Sequence, residues 1–359
     1  MSKRSRRSRN WQVLKTETGD RVVIGLDVHK KSIHAAIRVN GVETDTSVMP
    51  SAPETVVAAF VGLRGTPHKI VYEAGPTGFR LARALREAQL CVDVIAPGKV
   101  PQPANRGNKS DRIDCRKLAL YAEKDLLSAV AIPSEDEEAS RQITRLREQV
   151  IKKIRRVKQQ IKGLLLQHAI AEPPGLAQWS LAGVAALRKC RVREELRFVI
   201  DTLLGELETL TKALRRTEQR MRRMARQRRY RVGEELLRSH PGVGPITAMT
   251  FLTEVYRPER FDEKSELTSY CGLAPRVCQT GESRQEGPLI KGGRKGLRRL
   301  LVEAAWVWIA RDPAAMACYR RLVFNTGKSQ KAIIGMARRL AIHLWCMVTR
   351  GEVYCARTA

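Results

Sequence analysis

The pattern of apolar and polar positions changes character along the chain. From Arg21 to Asn40, apolar residues alternate with polar ones on either side of a short polar break at His29 to Lys31, which predicts two antiparallel strands joined by a tight turn. Gly41 ends that run, and Thr44 to Met49 predicts a third strand. Residues 53–63 have helical spacing, KIVYEA at 69–74 is a short buried strand, and Gly78 to Gln89 is helical with Leu81, Ala84, Leu85 and Ala88 on one face. CVDVIAP predicts a fifth strand, PGKVPQPANRGNKS a loop, and DRIDCRKLALYAEK a helix.

The order is three strands, then helix, strand, helix, strand, helix. Three consecutive strands form a meander, and strands separated by helices join it in parallel. This is an α/β, ribonuclease-H-like order, expected over residues 21–132. In it the first and fourth strands lie side by side.

Beyond Pro133 the period becomes helical: Ile143, Leu146, Val150, Ile154, Val157, Ile161 and Leu165 recur at spacings of three and four, a coiled-coil-like seam with a basic outer face. A Pro-Pro-Gly break at 173–175 precedes a second charged helical stretch from about Val192 to Arg231, with the pairs Arg222-Arg223 and Arg228-Arg229. These place a helical region at 133–232. From residue 233 onward, SHPGVGPITAMTFLTEV places Gly242 and Gly244 in a tight turn between helices, a helix-hairpin-helix-like form whose backbone N–H groups can meet a phosphate; a plain helix connection is the alternative. In LIKGGRKGLRRLLVEAAWVW, a Gly292-Gly293 hinge precedes a helix with Leu297, Leu300, Leu301, Ala304 and Ala305 toward the core. Lys291, Arg294, Lys295, Arg298 and Arg299 crowd its first turns, where helix polarity favours a phosphate.

Charge then narrows the function. A formal net charge of +29 over 359 residues points to a polyanionic partner, with nucleic acid the leading one. No apolar run is expected to reach the roughly 20 residues of a spanning helix, and MSKRSRRSRN lacks the apolar stretch of a signal peptide. Residues 1–20 are expected to form a disordered, phosphate-attracting arm. The eight cysteines form no CxxC pair and have no histidines at zinc-ligand spacing, so a reduced, cytoplasmic protein without structural zinc is expected.

The candidate chemistry lies in carboxylates. Asp27 and Glu73 end the first and fourth strands, and Asp111 and Asp114 stand three apart on one helix face. Four gathered carboxylates repel one another unless cations neutralise them, and hard oxygen donors suit Mg2+ or Mn2+. Two such ions roughly 3.5–4 Å apart stabilise the attacking and leaving oxygens of a phosphodiester. Each residue also has an ordinary alternative. Asp27 could cap a turn, Glu73 could pair with an arginine, Asp111 could cap its helix, and Asp114 could bridge to Lys117 or Arg116.

GLDVHK, YEAG, KSDRIDCRKLA, HPGVGPITA and GLAPRVCQTGESRQEGPLIKGGRKGLRRLLVEAA occur in an order that resembles the DEDD transposases of the insertion-sequence one-ten family, relatives of the Piv DNA invertases. The resemblance implies a RuvC-like N-terminal domain, a coiled-coil middle that mediates assembly as a dimer or tetramer, and a C-terminal transposase domain at 233–359. It implies a recombinase of double-stranded DNA, guided in some members by a structured bridge RNA, and hence a prokaryotic, nucleoid-associated protein. It carries the DEDD set onto Asp27, Glu73, Asp111 and Asp114. It also implies a nucleophilic hydroxyl within PRVCQTGES, where the family's usual Ser-Gly pair is Thr280-Gly281 here. Thr280 carries a competent hydroxyl whose extra methyl crowds an in-line attack, and Ser283 is the alternative. Ile290 also departs from the family, which usually has a polar residue before the lysine.

Three functions are therefore expected to compete: a recombinase that attacks DNA with Thr280, a junction-resolving nuclease whose carboxylates activate water, and an inert nucleic-acid binder.

Overall fold

The alternation of the first hundred residues becomes a twisted sheet. The structure is a computed structural model, and it describes residues 16–63, 65–101, 111–280, 283–290 and 292–356. The expected arm falls mostly outside these residues, as does Lys291. The chain divides into two compact units, one ending at Ser134 and the other beginning at Glu135.

In the first unit, β1 (Val22–Val28), β2 (Ser32–Val39) and β3 (Val42–Pro50) form the meander. After α1 (Pro53–Val61) come β4 (Lys69–Glu73), α2 (Arg80–Glu87), β5 (Val92–Ile95), α3 (Asp111–Glu123) and the two-residue β6 (Ala129–Val130). The sheet order among the described residues is β3-β2-β1-β4-β5-β6, with β1, β4 and β5 parallel and the other pairings antiparallel. Strict alternation sorts the side chains. Val22, Ile24, Leu26, Ile70 and Tyr72 pack under α1 and α2 with Val56, Phe60, Leu81 and Leu85, while Val23, Val71 and Ile95 face α3 through Leu118 and Ala122. Helices thus cover both faces of a mixed sheet, and the fold is ribonuclease-H-like.

The second unit is mostly helical. α4 (Glu135–Gln167) and, beyond the short α5 (Leu181–Lys189), α6 (Glu194–Ala225) pack together as an antiparallel pair. Val157, Ile161 and Leu165 of α4 meet Ile200, Leu204 and Leu207 of α6, and Arg147 bonds Glu218 at 2.8 Å nearer the other end. Leu146, expected in the seam, is 48% exposed. The seam changes partner there, because Thr144 and Arg145 turn instead to the next helical layer.

That layer contains α7 (Arg228–Arg238), α8 (Pro245–Val255), α9 (Lys264–Tyr270), the hairpin β7 (Pro275–Thr280) and β8 (Ser283–Leu289), α10 (Lys295–Arg311), α11 (Pro313–Thr326) and α12 (Ser329–Arg350). The expected single helix from Val192 to Arg231 is therefore two, α6 and α7, which meet at Arg226 and Gln227. No Gly or Pro marks that break; it is set by tertiary packing, with Tyr230 of α7 buried beside Met221 and Met224. Among the described residues α12 is long and apolar enough by composition to cross a membrane, which corrects the expectation that no such stretch exists. Arg338 and Arg339 lie near the middle of that helix and interrupt its apolar sequence. Its stripe of Ile333, Met336, Ala337, Leu340, Ala341 and Leu344 is nevertheless buried in the core of this unit.

Candidate active site

Asp27 and Glu73 come together because their strands do. The parallel register pairs Gly25 with Val71 and Leu26 with Tyr72, so the next step along each strand brings Asp27 beside Glu73. Both follow the alternation that sends Val23, Gly25 and Val71 toward α3. Both side chains are half-buried at the ends of their strands.

The approach of α3 is set by Gly25. A β-carbon there would collide with the Cys115 carbonyl oxygen and the Ala119 amide nitrogen, so the helix backbone rests directly on the strand. Arg38, paired opposite Val23, reaches Glu123 at the far end of α3 (2.8 Å), while Cys115 lies within the electrostatic reach of Asp27. The helix therefore runs against β1, with its first turn at the end of β1 and β4. That turn begins at Asp111 and contains Asp114. Negative charge is favoured at a helix N-terminus.

Asp27 Oδ2 is 3.2 Å from His29 Nε2, and His34 is paired across from Asp27 in β2. Arg116, an alternative partner for Asp114, forms its ion pair with Glu43. Burial, reinforced by the Asp27 charge, pushes the Cys115 thiol up to about 11, so it stays protonated. His29, His34 and Cys115 were not singled out in the sequence, because only the turn and the helix seating bring them to Asp27.

The hard carboxylate oxygens of Asp27, Glu73 and Asp114 suit a divalent cation in their chemistry. Among the described residues no three His, Cys, Asp or Glu side chains are arranged to hold a metal ion. The side chain of Asp111 lies outside the described residues.

Family models match two stretches of the chain. A DEDD transposase model covers residues 24–170, which contain all four carboxylates, and a model described as "Transposase IS116/IS110/IS902 family" covers residues 234–320. The chain belongs to the IS110 family of DEDD transposases. A putative transposase of Sinorhizobium fredii is 30% identical over 248 residues, 66% of this chain and 57% of that protein. The transposase for insertion sequence element IS1533 of Leptospira borgpetersenii is 27% identical over 297 residues, 80% of this chain and 85% of that protein. That for IS1328 of Yersinia enterocolitica is 24% identical over 339 residues, 92% of this chain and 98% of its own length. A DEDD domain depends in general on divalent metal, and a transposase binds DNA.

In the C-terminal unit of this transposase, Thr280 ends β7, Ser283 begins β8, and the register pairs the two across the hairpin turn. Both side chains lie outside the described residues. The sequence did not reveal this hairpin, since its polar residues carry no alternation of the apolar kind.

The hairpin base is held by Ile290 N–H to the Ala274 carbonyl (3.1 Å) and Arg294 N–H to the Tyr270 carbonyl (3.0 Å). Arg298 donates to the Gly272 carbonyl at 3.0 Å, and Arg294 pairs with Glu254 at 2.8 Å. Lys295 is exposed, and Arg299 lies 3.9 Å from Glu303. Gly242 is buried against α10, where a β-carbon would sit 2.5 Å from the Ala304 oxygen and 2.8 Å from Trp308 Cβ. Gly244 is exposed at the start of α8.

Sequence reasoning also missed Glu254, which is 2% exposed and held by Arg145 (3.0 and 3.2 Å) as well as Arg294. The available signal was a lone acid at the end of the apolar helix PITAMTFLTEV.

Proposed function

We propose that the transposase is a site-specific recombinase of double-stranded DNA that joins strands through a covalent protein–DNA link. The placement of Asp27 beside Glu73, under the first turn of α3, carries this reading. Asp27, Glu73, Asp111 and Asp114 would hold Mg2+ or Mn2+, which when bound polarises a phosphodiester and offsets charge on the oxygens entering and leaving phosphorus.

Thr280 is the nucleophile in this reading, and its segment lies at the tip of the β7–β8 hairpin. Its hydroxyl gives up a proton, the oxygen bonds to phosphorus, one bridging P–O bond breaks, and the released DNA hydroxyl takes up a proton. The bond energy stays in the phosphothreonine, so a second DNA hydroxyl can reverse the step without an external energy source. Lys295 and the exposed backbone at Gly244 would meet phosphates, with Lys291, Arg294, Arg298 and Arg299 beside Lys295 in the sequence. A structured bridge RNA would guide target choice, the active form would be a homodimer or tetramer, and the protein would act on the cytoplasmic nucleoid.

Trapping on suicide-substrate DNA with the cognate RNA tests the reading. An adduct should form in the wild type, vanish in Thr280→Ala, and persist or increase in Thr280→Ser, where the crowding methyl is gone. An adduct lost instead in Ser283→Ala moves the nucleophile across the hairpin. Cleavage without an adduct replaces the recombinase with a nuclease that uses water.

A further inference from the structure

The C-terminal unit contains a cavity of about 290 Å³ between α10, α11, α12 and the segment after α12. Its walls include the rings of Trp308, His343 and Tyr354 and the side chains of Cys318 and Cys346. Two of the rings are locked from behind. Asp312, 6% exposed, accepts hydrogen bonds from Trp308 Nε1–H (3.1 Å) and from the Tyr354 hydroxyl, and it caps α11 through the Ala314 and Ala315 amides (2.9 and 3.2 Å). The Trp308 and His343 centroids are 5.2 Å apart in an edge-to-face arrangement. Trp308 is 4% exposed and backs this wall, while the half-buried His343 and Tyr354 rings present its π surface at little ordering cost.

A second cavity, of about 450 Å³, shares Arg339 and His343 with the first and adds Lys264 and Arg338. The lining acid is Glu352, on the first cavity only. An aromatic chamber thus adjoins, across Arg339 and His343, a groove carrying three cations.

We propose that this pair of cavities binds an unpaired nucleotide of a single-stranded nucleic acid, with the base in the aromatic chamber and the flanking phosphates on Lys264, Arg338 and Arg339. The chamber is at the small end of ligand sites, which span about 300–1,000 Å³, and suits one flat ring system. A base inside a duplex cannot enter, because its faces and pairing edge are already taken. Aromatic stacking with cations along the backbone is how proteins hold single strands without reading sequence. The site is independent of the carboxylate chemistry and of the identity of the nucleophile.

Cysteine alkylation tests it on the full chain. Cys318 and Cys346 line the chamber, and the exposed Cys91 serves as reference. A short oligodeoxyadenylate or oligoriboadenylate should slow iodoacetamide labelling of Cys318 and Cys346 relative to Cys91. An abasic strand of equal length and a hairpin duplex should not. The deoxy and ribo arms tell which strand is preferred. In binding assays, Cys318→Trp, which fills the chamber, should weaken the base-bearing strand by about tenfold or more and leave duplex affinity unchanged. Lys264→Ala with Arg339→Ala should lower the single-strand salt slope by about 0.7 per cation removed.

Equal protection by the abasic strand, or no protection when the oligoadenylates are bound, overturns the proposal. Protection by dAMP but by neither strand assigns the chamber to free nucleotides and also overturns it. If Cys318→Trp fails to fold, wild-type protection decides alone.

Discussion

Gly25 touches the backbone of α3 at Cys115, with no room for a side chain between strand and helix. This contact sets how closely α3, whose first turn carries Asp111 and Asp114, approaches β1. Gly25→Ala should therefore lift the helix, costing about 1–3 kcal/mol of stability through overpacking, and should reduce DNA cleavage more than the stability loss explains. Denaturant unfolding and cleavage measured on the same variant check this. A variant that cleaves at the wild-type rate would show that the helix seating does not govern the chemistry.

Each of Asp27→Asn, Glu73→Gln, Asp111→Asn and Asp114→Asn should abolish cleavage and leave nucleic-acid affinity nearly unchanged. Metal chemistry needs the charges, whereas binding draws on many Lys and Arg contacts. Parallel cleavage and filter-binding assays separate the two. Duplex binding itself should weaken with salt by a log–log slope of about −0.9 per phosphate contacted, and a flat response would remove the electrostatic account of the +29 charge.

Glu254 joins α8 to α4 through Arg145 and to the start of α10 through Arg294. Glu254→Ala leaves two guanidinium groups facing each other without their shared anion. A loss of about 3 kcal/mol is expected, at the low end for a broken buried pair because both arginines keep partial contact with water. Thermal or urea unfolding reads it directly. Arg294→Lys should cost less but loosen the base of the β7–β8 hairpin, visible as faster amide exchange at Ala274 and Ile290.

His240 is 1% exposed among Trp308, His343 and Tyr354, and burial, with His343 adding to it, pulls its basicity down to about 3. The unfolded chain binds this proton near the ordinary histidine value of about 6.5, so between there and about 3 the unfolded state holds more protons. Stability from this group is thus complete above that window and is lost as pH falls through it, at up to about 1.4 kcal/mol per pH unit. Urea unfolding between neutral and acid pH should show a shallower decline in His240→Gln than in the wild type. Asp312 adds a later loss in the same direction. Burial acts to raise its pKa, but hydrogen bonds from Tyr354, Ala315, Trp308 and Ala314 together hold it below the usual carboxylate range.

The sheet was legible in the sequence because each strand's alternation is local and the strand–helix order admits few topologies. The adjacency of Asp27 and Glu73 followed from strand order alone. Elements made by packing were not legible. β6 is two residues long, α5 sits in a stretch without a clear period, and the break between α6 and α7 has no Gly or Pro to announce it. Leu146 fitted the helical period yet faces solvent, since the seam hands over to polar contacts such as Thr144 with Thr253 (3.2 Å). The neighbours of the carboxylates, His29 and Cys115, were hidden for the same reason. Gly242 looked like a phosphate-binding turn and is a close-packing residue against Trp308.

The antiparallel pairing of α4 with α6 works as a strut of set length. At 1.5 Å per residue, the 33 residues of α4 extend about 50 Å, comparable to fifteen base pairs of duplex at roughly 3.4 Å each. Lengthening one arm alone would rotate its apolar stripe out of register with the other. Adding one heptad to both arms keeps the stripe facing inward and lengthens the strut by about 10 Å. Span can therefore vary in steps while the residues at either end of the strut keep their own packing.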